Sequence, residues 1–335
     1  MEANLMKGLY AKLGGMGLSK KYVRSTLLPS WWDDEAAATP SGYSEALMLI
    51  SRHVGVDIAS LRSEKETARP AVEAPFKYKK ISGTADEELT LARILATQVA
   101  NLAALGAPPS RNAPSSAGEI RQKILEGGGC VDLESLLDFC WSLGIPVVHI
   151  SAFPPKAKKM QGLAARVKGR PVIVVASQRK PSAWLLFILA HELGHVVLGH
   201  LATDQILVDE DIDQNDQDEE EKQANRFAVE LLSGDAGSAF RAEGRWPRAA
   251  ELAEEALRRG RQQGIDPGHV VLNYAHSMGS SFFAVANAAL KILEPNPDAP
   301  GAIRRKLAGS LDWGSLPADS SEFLSRMTQA EPPMS

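Results

Sequence analysis

Apolar residues recur at three- and four-residue steps along most of the chain and close up into short aliphatic runs in only a few places. The helical spacing predicts helices over residues 5–13 and 44–54, separated by glycines, a proline and the turn-rich 39–42, and a longer helix over 87–105. Residues 145–150 and 171–177 are rich in branched aliphatics and bounded by glycine or proline, so each predicts a strand; a third short strand is expected at 205–208. The stretch between the first two strands carries Lys156, Lys158, Lys159, Arg166, Lys168 and Arg170 and reads as a solvated basic loop. Beyond Gly234, helices are expected over 249–260, 269–277 and 280–293, and the tail from residue 329 is expected to be disordered.

One apolar run leads somewhere unusual. Trp184-Leu185-Leu186-Phe187-Ile188-Leu189-Ala190 continues directly into His191-Glu192-Leu193-Gly194-His195. Burying an apolar stretch that ends in His-Glu is costly unless the polar heads find partners, and a divalent cation is an economical partner for two neutral imidazoles. On a helix, residues four apart sit about 40° from each other around the axis, so both imidazoles can reach one ion. Glu192, roughly 100° from His191, sits beside that ion, where it could take a proton from a water.

A catalytic zinc needs three protein ligands and an open position, and His-His-Glu is a recurring set. Ala224, Phe227, Ala228, Leu231 and Leu232 form the inward stripe of an amphipathic helix, and Glu221 lies on the edge of that stripe. Glu221 is therefore the expected third ligand. Asn225, one turn later on the same face, is expected to hydrogen-bond a ligating imidazole and fix its tautomer. Glu219 and Glu220 point elsewhere on the same helix and read as acidic residues favoured at its N-terminus. His200 lies five positions beyond His195, and continuing the helix places it roughly opposite His191, so it reads as a helix-end residue rather than a ligand. His200 and Tyr274 stand as candidate donors to an oxyanion. Cys130, after three glycines, is a candidate inhibitory zinc contact, since a thiolate binds zinc strongly; its default reading is a small buried hydrophobe.

The segments HELGHVVLGH and EKQANRFAVELL, with residues 131–147 before them, resemble the ImmA/IrrE family of bacterial metallopeptidases over roughly the middle half of the chain. The resemblance implies a gluzincin-like site with His191, His195 and Glu221 on Zn²⁺ and Glu192 as catalytic base. It implies an α+β fold: a zincin-like core with a small sheet and an active-site helix, flanked by helical N- and C-terminal units. It also implies a protein substrate, a helix-turn-helix repressor encoded nearby, whose cleavage releases stress, mobile-element or phage-defence genes. The expected organisation is a helical unit at 1–75, helix-turn-helix-like in pattern, a linker and connecting helix at 76–117, the metallopeptidase domain at 118–240, and a helical unit at 241–335 with a second helix-turn-helix-like segment.

Composition narrows the partners. Thirty-seven basic against 41 acidic residues give a formal charge of -4, with no global pull toward nucleic acid, so DNA is expected only as an activating signal met by a local patch such as Arg258, Arg259 and Arg261. Two cysteines, no export signal and no apolar run long enough for a membrane span lead to an expected cytoplasmic location and no membrane partner. The alternative function is a zinc-stabilised DNA-binding regulator with a vestigial peptidase site. A purely structural zinc, however, prefers four closed ligands and has no use for Glu192.

Overall fold

The computed structural model describes residues 5–63, 67–69, 76–77, 86–155, 160–201, 206–209, 218–241 and 245–333. Its strands are β1 (Phe76–Lys77), β2 (Val147–His149), β3 (Gly162–Val167), β4 (Arg170–Val175) and β5 (Ile206–Asp209). They form one mixed sheet in the order β1-β5-β3-β4-β2. The outer pairs β1–β5 and β2–β4 are parallel, whereas β3 runs antiparallel to both its neighbours. With helices on both sides, the chain has the expected α+β architecture.

Strands β2, β4 and β5 fall where the aliphatic runs predict them. Strand β3 does not, because its sequence Gly-Leu-Ala-Ala-Arg-Val is short, alanine-rich and weak in β propensity. It is held by a tight hairpin to β4, in which Lys168 and Gly169 both take positive φ, 48° and 81°. A two-residue turn with both central residues left-handed matches the twist of the paired strands. The expected basic loop is therefore corrected at its second half: Arg166 lies in β3, Lys168 in the turn and Arg170 at the start of β4. Lys156, Lys158 and Lys159 lie outside the described residues.

Alternation along β4 splits the core. Val172 and Val174 pack on one side of the sheet, with Val148, Leu163 and Ala165, while Ile173 and Val175 pack on the other with Val147 and Ala164. The second face carries the helix Ser182–Val197, which holds the His-Glu motif, and the helix Glu219–Ser233 lies against that. The first face is covered by the helix Asp86–Gly106, through Leu91, Leu95 and Val99, and the N-terminal helices Leu5–Gly15 and Pro40–Val54 extend the same hydrophobic cluster.

The same cluster includes Phe323, Leu324 and Met327 of the helix Ala318–Thr328, so the two ends of the described chain share one core. The buried ring of His53 stacks on Phe323 at 4.5 Å between centroids. Ala330 is buried as well, and the expectation of disorder from residue 329 is corrected as far as residue 333. Thr39 and Pro40, expected in a turn, are instead the cap and first residue of Pro40–Val54: the Thr39 hydroxyl accepts from the Gly42 N–H at 3.1 Å. Among the described residues, no helix is long and apolar enough to cross a membrane.

Helices Ala249–Gln263, Pro267–Met278 and Phe283–Leu293 form a third cluster around Leu252, Val271 and Phe282. Arg258 and Arg259 both pair with Glu255, at 2.7 and 3.1 Å, so the arginine group expected to attract an anion is largely answered on its own helix. Arg121, on the helix Ala117–Glu126, ties this cluster to the rest of the fold. Its guanidinium donates to the carbonyls of Leu231 and Leu232 at 3.1 and 2.9 Å, and to those of Gln263 and Gly264, both at 2.8 Å. The last carbonyls of two helices have no intrahelical partners, and one buried cation serves both ends. Arg121→Met is expected to lower stability by on the order of 2 kcal/mol in urea unfolding, with wild-type stability as the contrary result.

Candidate metal centre

The motif helix begins at Ser182 after Pro181, whose side chain offers no cap. The carboxylate comes from elsewhere in the fold: Glu294 accepts from the Ser182 N–H and from its hydroxyl, both at 2.8 Å. An anion there answers both the open N–H groups and the positive end of the helix dipole. The C-terminal half of this helix lies against Glu219–Ser233. Gly194 makes the approach possible, because a Cβ there would stand 3.1 Å from Phe227 Cδ1 and 3.3 Å from Ala224 Cα. The facing helix starts at an Asp218 cap, which accepts from the Glu220 N–H at 3.0 Å, and carries three glutamates in its first turn, where negative charge is favoured.

This contact brings together three of the predicted site residues. His191 and His195 are fully buried, and their Nε2 atoms lie 3.0 Å apart. Glu221 is 5% exposed, with Oε2 3.2 Å from His191 Nε2 and Oε1 3.6 Å from His195 Nε2. Burial pushes the Glu221 carboxyl up, but hydrogen bonds and charge from the two histidines outweigh it and hold the group well below the usual carboxylate range. Asn225 Oδ1 accepts from His191 Nδ1 at 3.0 Å, so the neutral His191 ring carries its lone pair on Nε2, on the side of the other two groups.

These three residues could hold a metal ion, and their ligand atoms all lie within 4.8 Å of one another. The triangle also has a suitable size. Tetrahedral bonds of about 2.0–2.1 Å separate neighbouring ligand atoms by about 3.3 Å, close to the 3.0 Å between the two Nε2 atoms and the 3.2 Å from His191 Nε2 to Glu221 Oε2. Two imidazole nitrogens and a carboxylate oxygen form a donor set that suits a borderline-soft divalent ion. Glu219 faces solvent and pairs with Lys222 at 3.9 Å, leaving Glu221 as the carboxylate of its helix turned inward.

Glu192 is buried beside this triad, against the first residue of β3. A Cβ on Gly162 would sit 2.0 Å from Glu192 Oε1, so the glutamate occupies room that only glycine leaves. Sequence reasoning missed Gly162 because it missed β3. Cys130 lies outside the triad: it is half-buried near Asp266, Asp132 and Arg121, and burial, then the two carboxylates, pushes its thiol up to about 11. Arg121 binds the far end of the Glu221 helix, about 15 Å from Glu221 at the helical rise over ten residues. Tyr274 is buried against Phe240 in the C-terminal cluster, with ring centroids 5.9 Å apart.

His200 does not continue the helix. The motif helix ends at Val197, Gly199 takes φ 76°, and the chain turns back so that the His200 N–H reaches the His195 carbonyl at 3.1 Å. Its ring is thereby carried to the outer side of His195, with the two Nδ1 atoms 2.9 Å apart.

The α+β fold and a buried triad able to hold a metal ion are compatible with a metallopeptidase. Residues 140–255 match the family model of the IrrE N-terminal-like domain, a peptidase family, and the chain accordingly carries a domain of the ImmA/IrrE family. Both helices that build the triad lie inside the match. No curated protein and no solved structure gives a match to this chain. Gly162→Ala is expected to leave metal uptake intact while cutting peptide hydrolysis by about 100-fold, the scale of a 1 Å misplacement of a reacting group; undiminished hydrolysis would detach Gly162 from the site.

Proposed function

We propose that the protein is a zinc-dependent endopeptidase. The observation that carries this reading is the convergence of His191 Nε2, His195 Nε2 and a Glu221 oxygen within 4.8 Å, beside the buried Glu192. His191, His195 and Glu221 would hold the ion, and Asn225, accepting from His191 Nδ1, would keep the His191 lone pair on Nε2. Zinc bound there supplies Lewis-acid polarisation of a peptide carbonyl and a water acidic enough to react near neutral pH. Glu192, buried beside the triad and lying against Gly162, would serve as general base toward an attacking water and return the proton to the departing amine.

The proposed substrate is a helix-turn-helix repressor encoded near the gene of this protein, cleaved to release stress, mobile-element or phage-defence genes in the cytoplasm, with DNA as an activating signal. The match to the IrrE N-terminal-like peptidase domain supports a protein substrate, and the choice of repressor follows from the family resemblance. The experiment is incubation of the purified protein with the repressors encoded beside its gene, with and without a zinc chelator. Cleavage that the chelator abolishes is the expected result; DNA binding without any cleavage would favour a regulator instead. Glu192→Gln is expected to retain one zinc per chain and to cleave roughly 10²- to 10⁴-fold more slowly, and cleavage at the wild-type rate would remove Glu192 from the mechanism.

A further inference from the structure

The two imidazoles of the triad are supported differently. Asn225 serves His191 directly, and a carboxamide oxygen can only accept, so the His191 Nδ1 proton is fixed. His195 instead faces another imidazole, and between two neutral rings either nitrogen can carry the shared proton. Only one of the two arrangements leaves the His195 lone pair on Nε2, where Glu221 and His191 Nε2 converge.

Gln223 decides between them. Its Oε1 lies 3.2 Å from His200 Nε2 and accepts, so His200 carries its proton on Nε2 and presents a lone pair at Nδ1. That lone pair accepts from His195 Nδ1–H, and the His195 lone pair is left on Nε2. We propose that His200 is a positioning residue for the metal centre: the chain Gln223–His200–His195 sets the tautomer and ring orientation of His195 as Asn225 does for His191. Three observations support it: His200 is only 7% exposed, the chain turn at Gly199 leaves its ring against that of His195, and both anchoring amides come from the helix that supplies Glu221. One helix thus contributes the third ligand and, at Asn225 and Gln223, the ends of both orienting hydrogen-bond chains.

This inference rests on reading the triad as a zinc site, and its test keeps the two apart. Zinc affinity is measured by competition with a chromophoric chelator for the full chain, His200→Leu and His200→Asn, alongside the thermal midpoint of each metal-free form. Wild-type protein that takes up no zinc would fail the site reading itself. Given uptake, His200→Leu, which removes the acceptor, is expected to weaken zinc binding roughly 10- to 100-fold. His200→Asn, which keeps an oxygen near the place of Nδ1, is expected to bind close to wild type. Equal affinity in all three, or equal loss in both variants, would overturn the role. A second readout needs no variant: nitrogen-15 NMR of the zinc-loaded wild type is expected to show the proton on His195 Nδ1 and a nitrogen–nitrogen coupling across the bond to His200 Nδ1. A proton on His200 Nδ1 would contradict the chain of donors.

Discussion

The structure depends on how closely two helices can approach. Ser182–Val197 brings the histidines and Glu219–Ser233 brings the carboxylate, and neither carries a complete site. They meet where Gly194 faces the Ala224 backbone and the edge of Phe227, and any side chain at 194 would have to displace one of them. That approach brings one ligand atom from each of His191, His195 and Glu221 within 4.8 Å of the others. The glycine inside His-Glu-Leu-Gly-His is thus a packing requirement: it costs helix propensity and permits a triangle of the size one metal ion needs.

The remaining layers hold these two rods in place. The sheet buries both its faces, so the motif helix rests on a rigid platform at Ala164, Ile173 and Val175. Its N-terminus is capped by Glu294, and Gly268 lets Pro267–Met278 approach so closely that an added Cβ would stand 2.8 Å from that of Ala183. Arg121 fixes the far end of the ligand helix through the Leu231 and Leu232 carbonyls. The C-terminal helices therefore act on the centre mechanically, without contributing a ligand to the triad.

The candidate metal triad was legible in the sequence because most of it is local. His191, Glu192 and His195 lie within one turn and a half of helix, and the apolar stripe of the second helix marks Glu221 at its edge. The residues that refine the site were less legible, since each depends on a contact distant in sequence. Gly162 matters only once β3 lies under Glu192, and β3 itself is disguised by its alanines and arginine. His200 does follow the helix end as expected, but its contact with His195 depends on the turn at Gly199, which an ideal helix does not contain. Likewise, the helices Ala299–Ser310 and Ala318–Thr328 escaped the apolar pattern, although the second completes the N-terminal core.

Zinc K-edge X-ray absorption on the metal-loaded protein tests the central claim most directly, because it reads the donors around the ion without reference to any substrate. The account predicts one zinc held by two imidazole nitrogens with only oxygen donors besides, at about 2.0–2.2 Å. A sulfur in the shell would bring in Cys130, and a third imidazole would make His200 a ligand; either result would contradict a centre built from His191, His195 and Glu221.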